Sequence, residues 1–65
     1  MITLYSTHCP RCIVLERKLK EKNIEYIEVN DVDEMIRIGL TYAPALKIDD
    51  KMMEFNEAIQ WVNAQ

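Results

Sequence analysis

The chain has 65 residues and carries 8 basic against 11 acidic side chains, for a formal net charge of −3. That length gives one domain, spanning residues 1–65, with a thin core. The acidic balance excludes a nucleic-acid partner, and no stretch reaches the roughly 18 apolar residues that cross a bilayer.

Ile2 to Tyr5 is a short β-leaning apolar run cut off by Ser6-Thr7-His8, and reads as a buried strand. Pro10 sits where a helix can begin, because its fixed φ and missing N–H cost nothing in the first turn. From Arg11 to Lys22, Cys12, Leu15 and Leu19 recur at helical spacing, and Asn23 is the stop. The basic run Arg17-Lys18-Leu19-Lys20 falls late in that helix, where cations suit the dipole; it is a solvated end and no binding patch.

Ile24 to Val29 is β-branched and aromatic, and predicts a second strand. The helix between makes the two strands parallel with a right-handed crossover. Asn30 or Asp31 can cap a short second helix, and Asp31 with Glu34 fits a capping box, with Val32, Met35, Ile36 and Gly39 on the apolar face. Ala45 to Ile48 and Met52 to Phe55 read as a hairpin around Asp49-Asp50-Lys51. Asn56 then caps a last helix carrying Ala58, Ile59, Trp61 and Val62. The order is βαβαββα: an α/β fold whose mixed four-stranded sheet is flanked by helices.

Cys9-Pro10-Arg11-Cys12 carries the chemistry. Cys9 falls at a helix N-terminus, where unpaired N–H groups and the dipole favour a thiolate over a thiol. Cys12 lies one turn on, so its sulfur can reach back to close a Cys9–Cys12 disulfide, and its place on the core stripe makes it the less exposed of the two. A cross-link across four residues restrains the unfolded chain by at most roughly 2 kcal/mol, too little for a structural staple. Pro10 stiffens the loop; Arg11, and His8 when charged, add cations near Cys9.

Two other uses of the pair stand beside this one. A structural zinc needs four ligands, and two cysteines with His8 would have to recruit carboxylates, so no metal ligands are assigned. Two soft thiolates at a strand–helix junction would also suit Cu(I), as in a copper-chaperone module, although such a loop needs neither Pro10 nor Tyr42-Ala43-Pro44. A non-enzymatic interaction module would keep partner binding without Cys9.

Leu4-Tyr5-Ser6-Thr7-His8-Cys9-Pro10-Arg11-Cys12 resembles the active-site segment of glutaredoxins and glutaredoxin-like redoxins, and Tyr42-Ala43-Pro44-Ala45-Leu46 is similar to their Thr-Val-Pro-x-Leu segment. The resemblance implies a thioredoxin-like fold and a monomeric enzyme that reduces protein disulfides, with no bound cofactor; a cytoplasmic location is expected because Met1 to Tyr5 lacks the basic start and apolar run of a signal peptide. It implies a cis bond before Pro44 and substrate contacts at Ala43 and Pro44, with the backbone of Ala43 pairing with the substrate chain. Arg11 and Tyr42 are the flanking substrate candidates. Ser6 stands where many glutaredoxins have Lys or Arg, and Phe55-Asn56-Glu57 where they have Gly-Gly and an acidic residue. Those features hold glutathione in the family. The electron donor is therefore either glutathione or NADPH through a thioredoxin-reductase-type partner, as in redoxins that serve ribonucleotide reductase.

Overall fold

Seven elements follow one another in the computed structural model, which describes all residues from Met1 to Gln65. They are β1 (Ile2–Tyr5), α1 (Pro10–Glu21), β2 (Ile27–Val29), α2 (Val32–Arg37), β3 (Ala45–Ile48), β4 (Lys51–Met53) and α3 (Phe55–Asn63). This is the βαβαββα order expected from the sequence. The strands form one sheet in the order β2-β1-β3-β4. β1 and β2 are parallel, as the α1 crossover requires, while β3 runs antiparallel to both β1 and β4.

Register puts the core together. Leu4 pairs with Leu46, and Leu46 with Met53, so three buried side chains line one face of the sheet. On that face lie Leu15 and Leu19 of α1 and Ala58 and Val62 of α3, with Trp61 and Phe55 packed around them. The alternate positions, Tyr5 and Ala45, face the other way and pack with Met35 of α2, beside Val29, Leu40 and Met52. A mixed sheet with helices on both faces is the thioredoxin-like arrangement.

Helix ends depart from the sequence reading in informative ways. Asn23 adopts φ 57 and closes α1: its N–H bonds Lys20 O at 3.1 Å and the Ile24 N–H bonds Leu19 O at 3.0 Å. That double bond is a Schellman stop. It ties Ile24 to the helix, so β2 begins at Ile27 and not at Ile24. Gly39, expected on the apolar face of α2, is the equivalent stop there, with φ 81 and Leu40 N–H bonded to Met35 O at 2.9 Å. Of that expected face only Met35 is buried; Val32 and Ile36 are exposed.

Asp31 caps α2 through Oδ1, accepting from Asp33 N–H at 2.9 Å and Glu34 N–H at 3.4 Å. The Glu34 carboxylate pairs with Arg37 and so leaves the box half made. β4 stops at Met53, and Phe55 opens α3 from an extended Glu54, so Asn56 sits inside the first turn and is not the cap. Phe55 packs against the core from that position.

Candidate functional site

The chain leaves β1 through Ser6, fully buried and anchored by a 3.0 Å bond from its N–H to Val29 O. Ser6 Oγ then accepts the His8 N–H at 3.1 Å and steadies a sharp turn in which His8 holds φ 61. A left-handed conformation is uncommon for a residue with a side chain, though His is among the types enriched there. The turn delivers Cys9 to the N-cap of α1, with Pro10 in the first helical position. Cys9 Sγ accepts the Cys12 N–H at 3.2 Å, the bond that a Ser or Asp cap would ordinarily supply.

The two sulfurs are free thiols facing each other at 2.6 Å. Cys9 is half-buried and Cys12 has no exposure, so a partner reaches the first and not the second. Thr7 Oγ1 stands 4.0 Å from Cys12 Sγ. Burial pushes the Cys12 thiol up, but hydrogen bonds with Cys9, Ser6 and the backbone at Thr7 and Cys9 outweigh it and hold the thiol below its ordinary value.

Ala43 and Pro44 come from the loop before β3, more than thirty residues away in the chain, yet Ala43 O lies 4.0 Å from Cys9 Sγ. The Ala43–Pro44 bond is cis, as the glutaredoxin resemblance implied. Pro44 is buried, while Tyr42 is exposed. Two grooves flank this loop. One of about 360 Å³ is lined by Arg11, Tyr42, Ala43, Pro44, Glu54 and Phe55. The other, about 260 Å³, is mostly apolar, with Val32, Met35, Ile36 and Leu40 among its walls. A wider depression of about 470 Å³ lies along α1 among Glu16, Arg17, Lys20 and Glu21, apart from either sulfur.

The expected cations are placed differently from the sequence reading. Arg11 lays its guanidinium over the Phe55 ring, 5.4 Å from the centroid, and so forms a wall of the first groove. His8 turns Nε2 toward Glu28 at 4.0 Å. The Cys9 sulfur bonds only to Cys12 and Ala43 groups. Burial and contact with Glu28 raise the Glu16 carboxyl above the usual range, and burial with the charges of Glu16 and Glu28 raises the Tyr26 phenol.

Sequence reasoning missed Ser6 and Thr7 as supports of Cys12, and Glu54 and Phe55 as groove walls. No periodic signal marks the first two. Phe55 was read as strand, which concealed its place beside Arg11.

No protein-family model matches the chain. Over 57 residues it is 28% identical to a thioredoxin of Methanothermobacter thermautotrophicus, a match covering 78% of this chain and 74% of that protein. With the fold and the facing cysteines, that likeness supports a thioredoxin-fold redoxin and a thiol redox function in general. No helix is long and apolar enough to cross a membrane.

Proposed function

We propose that the chain is a dithiol, glutaredoxin-like reductase of protein disulfides. The observation that carries this reading is the asymmetry of the pair: two facing sulfurs at a helix N-terminus, only one of them reachable. Cys9 as thiolate attacks one sulfur of a substrate disulfide. The substrate S–S bond breaks, one substrate thiolate leaves, and a mixed disulfide forms at Cys9. The Cys12 thiolate then attacks Cys9 Sγ, releases the second substrate thiolate, and leaves a Cys9–Cys12 disulfide. Two electrons have passed to the substrate. Glutathione, or NADPH through a thioredoxin-reductase-type partner, returns them.

In this reading His8 and Pro10 shape the turn that presents Cys9. The extended substrate segment lies across Ala43 and Pro44, between the grooves walled by Arg11 and Tyr42. The test is reduction of a model protein disulfide with each donor system in turn. Cys9→Ser abolishes turnover, and Cys12→Ser accumulates a mixed disulfide visible by non-reducing electrophoresis. Turnover that survives in Cys9→Ser would overturn the assignment of the attacking sulfur, and failure with both donors would overturn the reductase.

A further inference from the structure

Near β2, which lies on the opposite side of β1 from β3, three side chains converge that the thiol chemistry leaves unused. His8 comes from the loop after β1, Glu16 from α1 and Glu28 from β2. One donor atom from each lies within 4.8 Å of the other two. The carboxylates of Glu16 and Glu28 thus lie within 4.8 Å of each other. Two carboxylates this close repel unless a proton or a cation sits between them. No Lys or Arg ion-pairs with either: of the ion pairs in the molecule, only that from His8 to Glu28 reaches this cluster.

The donor set narrows the cation. Calcium and magnesium take oxygen ligands, six or more for calcium, with no use for an imidazole. One imidazole nitrogen with two carboxylate oxygens is a combination that zinc accepts, with a fourth position left to water. Around a tetrahedral zinc with bonds of about 2.1 Å, donors stand roughly 3.4 Å apart, so side chains now within 4.8 Å need close by little more than an ångström. His8 is exposed and Glu16 only half-buried, so rotation of the side chains supplies that movement. His8 is also held at its backbone by the bond to Ser6, which fixes where the imidazole starts from.

We propose that His8, Glu16 and Glu28 form a surface site for one zinc ion, separate from the cysteine pair. The ion neutralises the two carboxylates and ties the β1–α1 loop, α1 and β2 together beside the residue that precedes Cys9. The site is independent of whether the cysteines exchange disulfides, so either reading can fail without the other.

The experiment is calorimetric titration of zinc chloride into the Cys9→Ser/Cys12→Ser double variant, which removes the thiolates as competing ligands. One ion binds per chain, and thermal unfolding shifts upward with zinc by mass action. Glu16→Gln, Glu28→Gln and His8→Asn, made in that background, each lower the affinity at least about tenfold. Asn is chosen because it tolerates the positive φ at that position. Glu21→Gln, on the same helix but outside the cluster, leaves it unchanged. Absence of binding at millimolar zinc would overturn the site. Binding that the three substitutions leave intact, or that Glu21→Gln weakens equally, would reduce it to diffuse surface charge and overturn it as well.

Discussion

Leu46→Ala tests whether the fold rests on the register that aligns Leu4, Leu46 and Met53. Leu46 has no exposure and stands in the middle of the sheet, with buried side chains of α1 and α3 on the same face. Truncation to Ala removes three carbons, worth roughly 2.4 kcal/mol at about 0.8 kcal/mol for each buried methylene. The walls of the resulting void belong to two helices and two neighbouring strands, so they cannot all collapse into it. The cavity left behind brings the expected loss to about 3–4 kcal/mol, inside the range of about 2–5 for such changes. A chain of 65 residues has about 3–10 kcal/mol in total at 0.05–0.15 per residue, so the loss removes about a third of that stability or more. Ile36→Ala, on the exposed side of α2, is the control, since Ile36 keeps 67% of its surface in solvent; its loss stays within about 0.5 kcal/mol. Urea unfolding followed by Trp61 fluorescence reads both, because Trp61 packs against the same cluster. A Leu46→Ala loss below about 1 kcal/mol, or one no larger than that of Ile36→Ala, would refute this account of the core.

Two further outcomes concern the helix stop and the sulfurs. At Gly39 an added Cβ meets nothing within 4 Å, so Gly39→Ala is strained only through its φ of 81; thermal unfolding should report a loss of about 1–2 kcal/mol, with Gly39→Asn milder. Cys12 is held in the fold below its ordinary value of 9.0, so the folded reduced protein binds fewer protons than the unfolded chain between those two values. Its stabilising contribution is therefore complete above 9.0 and is lost as pH falls through the folded value. Urea midpoints of the reduced protein should accordingly rise with pH across that window relative to Cys12→Ser. Ser6→Ala removes one of the bonds that favours the thiolate, so thiolate absorbance appears at higher pH than in the parent. Parallel urea curves, or an unmoved absorbance midpoint, would contradict the assigned cause.

The number, type and order of the elements were legible in the residues because each rests on local signals: apolar periodicity in α1, a β-leaning apolar run in β1, the β-branched run from Ile24 to Val29, and Asn23 as a stop. The cysteine pair was legible for the same reason, since one helical turn and an N-terminal Pro10 decide its geometry without help from the rest of the chain. Boundaries failed where a tertiary demand outweighed local preference. Ile24 and Tyr26 have strand character, but the bond from Ile24 back to Leu19 commits that stretch to the helix end. Phe55 looks like a strand residue, yet β4 ends at Met53 and Phe55 stands in the first turn of α3, still packed against the core. Val32 and Ile36 look like a buried face, but a six-residue α2 covers the sheet with Met35 alone.

What tertiary structure alone decided is the company of Cys9. The run Cys9-Pro10-Arg11-Cys12 determined by itself that two sulfurs would meet at a helix N-terminus, because i to i+3 contacts follow from helix geometry. That Ala43 O lies 4.0 Å from Cys9 Sγ, and that the His8 imidazole points to Glu28, depend on β1 pairing with both β2 and β3. Those pairings join residues more than twenty positions apart. The crossover helix made β1 and β2 parallel, but no local pattern specifies that β1 also pairs with β3; that order buries Leu4 and Leu46 against α1 and α3 at once.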